Sequence, residues 1–216
     1  MIQLPILILG YERSGTTLLR RIISMNPDME RGLVHENQTE LLKSKSKEEA
    51  IKKLGPQLLS GQKIAYTTFK RVKGVTQKFF DYFPTTRILH INRNYIDCIR
   101  SQQKTFKKNI EKCKVDYFNS VPKVRKYIRQ FNGTKEIYFE ELVFHPFEVI
   151  SDLYKWMGSL DIGKEHIRKV ISTRKPWATK NGKHMSGLRY FDKIDSSKVS
   201  KEGLREYESS SQYKKL

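Results

Sequence analysis

The feature that most constrains the fold is an apolar run followed by a glycine-bounded turn and an amphipathic helix, in residues 4–23 (LPILILGYERSGTTLLRRII). Residues 4–9 predict a short buried strand. The turn runs from Gly10 to Gly15, and from Thr16 onward apolar residues recur at helical spacing. In such an arrangement, free backbone N–H groups and the positive end of the helix dipole point at one spot. The segment therefore predicts an anion-binding site.

The two glycines have the spacing of a phosphate-binding P-loop, but the residue after the second glycine is Thr16. In kinases and ATPases that position holds the lysine that reaches the β- and γ-phosphates. Arg13 lies inside the loop instead, which favours an anion other than a nucleoside triphosphate. A tight turn that binds nothing is the alternative. The loop residues expected to contact the anion are Arg13, Ser14, Gly15, Thr16 and Thr17.

Downstream of the loop, apolar runs alternate with helical patterns, which predicts a parallel sheet with helices on both faces. Further strands are expected at residues 63–68, 86–91 and 136–139, and residues 28–35 are expected to form a loop. Helices are expected at residues 39–53, 75–83, 95–108, 117–131, 146–158 and 163–172. The predicted fold is a three-layer α/β domain, similar to P-loop NTPases, with a mostly parallel sheet of about four to five strands.

At 216 residues the chain is long enough for one such domain with a substantial core. Residues 174–197 are polar and predict a long loop, which in a compact domain is either functional or disordered. Residues 201–216 are expected to start as a helix and to fray over 210–216.

The net charge of +19, from 42 basic and 23 acidic residues, favours anionic partners. Nucleic acid and a polyanionic ligand are both candidates, although the lysines are spread over several segments and many cover a solvated surface. No run of eighteen apolar residues occurs, so no membrane span is expected. We see no signal peptide and expect a cytoplasmic location. Cys98 and Cys113 are expected to be reduced, in polar helical surroundings, and are too few to form a metal site.

A second basic group stands at the end of the strand predicted at residues 86–91. P-loop NTPases place a magnesium-binding aspartate at such a strand tip, whereas this chain has Arg93. Ser101 follows eight residues later, in the second turn of the next helix. A guanidinium and a hydroxyl at this separation can converge on one phosphate.

These segments resemble sulfotransferases that use 3′-phosphoadenosine 5′-phosphosulfate (PAPS). YERSGTTLL (11–19) is similar to their 5′-phosphosulfate loop, in the Arg-Ser-Gly-Thr-Thr variant of the tyrosylprotein and carbohydrate branches. Arg93 and Ser101 are similar to their 3′-phosphate motif. The resemblance covers residues 4–160 in ordered segments. It implies metal-free, in-line transfer of the sulfuryl group from PAPS to an acceptor hydroxyl, with adenosine 3′,5′-bisphosphate (PAP) as the product.

The resemblance also implies further cofactor contacts. The segment IYFEELVFHPFEVISDLYKWMG (137–158) is similar to a late part of these domains, in which Tyr138 corresponds to a cofactor-side aromatic and Phe139 is the alternative. Ser186 and Lys198 match two later cofactor contacts loosely. Residues 174–200 would then form a loop that covers the cofactor.

Three residues are expected to act on the reacting groups. An attacking hydroxyl must lose its proton, and the resemblance assigns that base to Glu36, with His35 as the competing choice. Charge develops on the leaving phosphate, and a nearby cation would stabilise it. Lys70 is the candidate, with Arg71 as a weaker one and Arg13 sharing the role.

Two other functions are compatible with the sequence. One is a P-loop kinase for a small molecule, which the missing loop lysine and the missing strand-tip acid disfavour. The other is a non-catalytic binder of nucleic acid or another polyanion, which the placement of aromatic residues on core faces makes unlikely. The acceptor stays open between a sugar, a small molecule and a peptide tyrosine, and a second subunit, as in a homodimer, would help to complete a shallow acceptor site.

Overall fold

The computed structural model describes residues 5–29, 33–35, 38–159, 162–172, 194 and 196–210. The strands are β1 (Ile6–Tyr11), β2 (Val34–His35), β3 (Gly61–Tyr66), β4 (Arg87–Asn92) and β5 (Lys135–Tyr138). The helices are α1 (Thr16–Ser24), α2 (Gln38–Lys43), α3 (Lys47–Leu54), α4 (Phe69–Tyr82), α5 (Tyr95–Phe106), α6 (Ile110–Ile128), α7 (Phe139–Phe144), α8 (Pro146–Met157), α9 (Lys164–Ser172) and α10 (Lys201–Ser209). Short 3₁₀ turns cover Pro56–Leu59 and Ser196–Lys198.

The five strands form one parallel sheet in the order β2-β3-β1-β4-β5. Parallel neighbours require crossover connections, which the helices provide. All six residues of the central strand β1 are buried, as expected for a strand covered on both faces. The predicted α/β fold with a parallel sheet is therefore confirmed.

Successive side chains of β1 point to opposite faces of the sheet, and each face has its own core. Ile6 and Ile8 pack in a cluster with apolar residues of α1, α8 and α9. Leu7 and Leu9 pack in a second cluster with apolar residues of α4 and α6. Two cores on one sheet give the three layers that the sequence predicts.

Several boundaries differ from the sequence predictions. The strand expected to end at residue 9 continues to Tyr11, because Gly10 still pairs with β3 and β4. The stretch expected as a loop at residues 28–35 contains β2, which pairs with β3. The helix expected at residues 39–53 is two helices, since Ser46 caps a separate α3 by accepting a hydrogen bond from the backbone N–H of Glu49 at 3.2 Å.

Two helical segments were missed. Asn109 caps α6 by accepting a hydrogen bond from the N–H of Lys112 at 3.0 Å, so α6 begins at Ile110 rather than at residue 117. The short helix α7 follows β5 directly, where no helix was predicted. The expectation of polar surroundings for Cys98 and Cys113 was also wrong, because both are buried. Burial raises the pKa of the Cys98 thiol to about 12, so this thiol is neutral.

The carboxyl-terminal predictions are only partly visible. Residues 173–193 and 195 lie outside the described part of the chain, and so does most of the expected loop. The helix expected from residue 201 is present as α10. No helix among the described residues is long and apolar enough to cross a membrane.

Candidate functional site

The candidate site lies at the carboxyl edge of the sheet, between β1 and β4. These strands are neighbours, with Gly10 opposite Ile91, so the segments that follow them meet. The chain leaves β1 toward β2 on one side and leaves β4 toward β5 on the other. Ligands of parallel α/β sheets bind at such a point, where the direction of the connections reverses.

The loop after β1 places an unshielded helix amino terminus at this edge. The N–H of Ser14 donates to the carbonyl of Tyr11 at 2.9 Å, and Arg13 and Gly15 have positive φ angles of 74° and 104°. Gly15 is the N-cap of α1 and has no side chain to bond the first-turn N–H groups. No acidic residue lies in that turn. These N–H groups are therefore available to an anion.

Both glycines of the loop are required by close packing. A β-carbon at Gly10 would lie 2.4 Å from Oγ of Ser14, and one at Gly15 would lie 2.5 Å from the ring of Phe139. Ser14 is fully buried, and its hydroxyl has no hydrogen-bond partner among the described residues. A buried hydroxyl without a partner is unfavourable. The Ser14 hydroxyl is thus suited to an oxygen of a bound anion.

Three residues singled out by the sequence are joined by hydrogen bonds. Nε of Arg13 donates to Oγ of Ser101 at 2.9 Å, and Nη1 of Arg93 donates to the carbonyl of Arg13 at 3.1 Å. The Arg93 guanidinium lies 4.3 Å from the ring centre of Phe139, and Nε of Arg93 has no partner in the described part of the chain. The two arginines, 88 and 80 residues apart from their partners Ser101 and Arg13 respectively, face one groove.

The start of α5 is fixed by a buried polar network. Oδ1 of Asn94 caps the helix by accepting from the N–H of Asp97 at 2.8 Å. Glu140 accepts from the backbone N–H of Asn94 at 3.0 Å and from its side-chain amide at 2.7 Å. Glu140 is fully buried, and burial raises its pKa. This network ties the segment after β4 to the segment after β5.

The two aromatic candidates at the end of β5 have different surroundings. The hydroxyl of Tyr138 accepts from Nη2 of Arg125 at 3.1 Å, and its ring lies 5.7 Å from that of Tyr207. Phe139 instead contacts Gly15 and the Arg93 guanidinium. The sequence left this choice open, because which of two adjacent side chains faces the loop depends on how β5 enters α7.

The other expected site residues are placed as follows. Thr16 is buried and Thr17 is half-buried in the first turn of α1. Lys70 is exposed in the first turn of α4, which starts at the same edge of the sheet. His35 ends β2 opposite Lys63 of β3, and Lys198 lies in the turn Ser196–Lys198, where its carbonyl accepts from Nη2 of Arg93. Glu36 and Ser186 lie outside the described residues.

Sequence reasoning missed one part of the loop's surroundings. Glu12, an acid inside the loop, forms an ion pair with Lys108, and its carbonyl accepts from the Gln102 side chain at 3.2 Å. The ring of Phe106 lies 5.9 Å from the Arg13 guanidinium. No sequence signal marks these contacts, since they depend on how α5 crosses the loop. Among the described residues, no group of three or more His, Cys, Asp or Glu side chains could hold a metal ion.

Comparison with known proteins supports the fold. No family model matches the sequence, and no curated protein matches it. The sulfotransferase domain from the curacin biosynthetic pathway is 15% identical, with a TM-score of 0.60 over 96% of this chain and 98% of that domain. A sulfotransferase from Alicyclobacillus acidocaldarius is 16% identical, with a TM-score of 0.55 over 78% of this chain and 90% of its own. This chain has the sulfotransferase fold.

A third solved structure is a mouse sulfotransferase in complex with PAP. It is 15% identical, with a TM-score of 0.52, over 78% of this chain and 62% of the mouse protein. The predicted fold resemblance is thus confirmed at the level of architecture. At these identities the likeness concerns the fold, and the roles of individual residues stay predictions.

Proposed function

We propose that this protein is a sulfotransferase that transfers the sulfuryl group of PAPS to an acceptor hydroxyl and releases PAP. The observation that carries the proposal is the hydrogen-bonded set of Arg13, Ser101 and Arg93 at the β1–β4 edge. The sequence predicts these residues as two halves of a bisphosphate site, one for each end of the nucleotide. Their convergence on a sulfotransferase fold supports that function.

The described residues fit such a nucleotide. The loop N–H groups and the Ser14 hydroxyl would hold the 5′-phosphosulfate. On the other side, Oγ of Ser101 accepts from Arg13, which leaves its own O–H free to donate to a 3′-phosphate oxygen. Nε of Arg93 is a second donor there, with no partner among the described residues.

Bound PAPS would supply an activated sulfuryl group and a phosphate leaving group. Arg13 lies in the loop that would surround that phosphate, and we assign it to stabilise the charge that develops there. Lys70 is the second cation for this role, because α4 begins at the same edge of the sheet.

The acceptor hydroxyl needs a base, and we propose Glu36, with His35 as the competing assignment. Glu36→Gln should reduce turnover by about a hundredfold or more while PAP affinity is retained. His35→Ala should keep most of the turnover. The reverse result would assign the base to His35. Sulfation of a panel of sugar, phenol and tyrosyl-peptide hydroxyls by the purified protein would report both variants.

Ligand-dependent thermal stability tests the function directly. A ligand that binds only the folded protein stabilises it by about 2.7 kcal/mol at a hundredfold excess over its Kd. We expect PAP to raise the melting temperature clearly, and ATP with Mg²⁺ to raise it little. A preference for ATP with Mg²⁺ would favour a kinase. Equal, salt-sensitive stabilisation by PAP, heparin and oligonucleotide would favour a general polyanion binder.

A further inference from the structure

The carboxyl-terminal helix α10 packs directly on the start of α5, next to Arg93. The backbone N–H of Ser200 donates to Oδ2 of Asp97 at 3.1 Å. A β-carbon at Gly203 would lie 2.5 Å from Oδ2 of Asp97 and 2.6 Å from Oδ1 of Asn94. The backbone of α10 therefore lies against two polar side chains, at a distance that only glycine allows.

The glycine in α10 needs an explanation, since glycine is the poorest helix former after proline. Asn94 and Asp97 cannot move aside easily, because Asn94 bonds both Asp97 and Glu140 and Asp97 accepts from Ser200. Close packing on this fixed pair accounts for Gly203.

The same carboxyl-terminal segment holds Arg93. One terminal nitrogen of its guanidinium donates to the loop carbonyl of Arg13, and the other donates to the carbonyl of Lys198, two residues before Ser200. That second nitrogen also lies 3.9 Å from Oδ2 of Asp97. The orientation of Arg93 therefore depends on a segment that the docked α10 anchors.

Side-chain contacts on two sides keep α10 in place. Glu202 forms an ion pair with Arg100 of α5. On the other side, the hydroxyl of Tyr207 donates to Oε1 of Glu141 in α7 at 2.9 Å. The helix thus bridges the segments that follow β4 and β5.

We propose that α10 is a positioning element for Arg93 and that Gly203 is the residue that permits its docking. The docked helix gives the site its selectivity for nucleotides that carry a 3′-phosphate. This inference rests on the proposed function, because it assigns the 3′-phosphate to Arg93. It adds a specificity determinant remote from the loop in sequence.

The test compares two identical substitutions at helical glycines, Gly203→Ala and Gly74→Ala. At Gly74 in α4 a β-carbon would lie 3.7 Å from the Leu42 side chain, an ordinary contact, so this variant is the matched control. Calorimetry would give the Kd of PAP and of AMP, which lacks the 3′-phosphate. We expect Gly203→Ala to weaken PAP binding about tenfold, with AMP within about twofold of wild type. Gly74→Ala should change neither.

The outcomes separate the two proposals. If the wild-type protein binds PAP no better than AMP, the proposed function fails. If the wild type prefers PAP and folded Gly203→Ala keeps the same PAP-to-AMP ratio, the role of α10 is refuted. Should Gly203→Ala fail to fold, Tyr207→Phe decides, since it removes only the hydrogen bond to Glu141. A smaller loss in the same ratio supports the proposal, and an unchanged ratio overturns it.

Discussion

Two arginines with little exposed surface, Arg93 and Arg125, hold the carboxyl half of the sheet in different ways. Arg125 of α6 lies 2.7 Å from Glu136 and also donates to the hydroxyl of Tyr138. Arg93 donates to two backbone carbonyls, and its nearest carboxylate, on Asp97, is 3.9 Å away. A buried arginine paired with a carboxylate is structural. One that bonds only carbonyls keeps its charge available for an anionic ligand.

The environment of Glu136 sharpens this contrast. Burial alone would raise the pKa of Glu136, but the His90 ring and the guanidinium groups of Arg125 and Arg129 outweigh it, and the pKa is lowered. Burial also lowers the pKa of His90, so the positive charge beside Glu136 comes from the two arginines. Glu136 is therefore ionised and fully engaged, whereas the site around Arg93 has no such acid.

The largest expected effect is loss of stability in Arg125→Ala. Removing this guanidinium leaves the half-buried Glu136 carboxylate with Arg129 alone, and breaking a buried ion pair typically costs about 3 kcal/mol or more. Urea denaturation followed by circular dichroism would measure it. A loss below about 1 kcal/mol would show that Arg125 is not the structural member of the pair.

Arg93→Ala should instead affect ligand binding. We expect PAP affinity to fall by about 2 kcal/mol, since a hydrogen bond to a charged group is lost. The free energy of unfolding should change by less than that. Calorimetry on Arg93→Ala, with the exposed Arg168→Ala as control, tests this. If stability fell as far as in Arg125→Ala while PAP affinity held, the functional contrast between the two arginines would be lost.

Ser101→Ala should have a smaller effect in the same direction. The hydroxyl accepts from Arg13 and would donate to the 3′-phosphate, so its removal should weaken PAP binding by about 1 kcal/mol. Ser172→Ala, at an exposed position of α9, is the control. Equal PAP affinity in both variants would remove Ser101 from the site.

The smallest expected effect concerns pH. Burial, and then the charges of Glu140 and Asp97, raise the pKa of Glu206 in α10 to about 7. Because this pKa is higher in the folded protein, the contribution of protonated Glu206 is present below its ordinary pKa of 4.5 and is lost as pH rises to about 7. The charged groups around it are Arg93, Asp97 and Arg100 near α5, Glu140 and Glu141 in α7, and Lys198 before α10.

We therefore expect wild-type thermal stability to decline between pH 5 and pH 7 relative to Glu206→Gln, which is neutral at all pH values. The Glu136 network should contribute no change in this range, since its lowered pKa keeps it ionised throughout. Parallel pH profiles of the two proteins would not support the assigned role of Glu206.

Much of the fold and the loop could be predicted from the sequence, because their signals are local. The buried strand, the glycine turn and the first helix follow from periodicity and from the backbone freedom of glycine. The short strand β2 and the start of α6 could not be predicted, since two residues carry no periodicity and the cap at Asn109 resembles any polar turn. Arg93 and Ser101 were found because they lie on one strand–helix junction.

The sequence alone determined that this chain forms a parallel α/β sheet with a basic, glycine-bounded loop after its first strand. Only the tertiary structure decided which distant groups meet there: the bond from Arg13 to Ser101, the contact of Phe139 with Gly15, and the packing of Gly203 on Asp97. The physical reason is range. Backbone propensity acts over a few residues, whereas contacts across many tens of residues depend on strand order and helix packing, which no short stretch of sequence encodes.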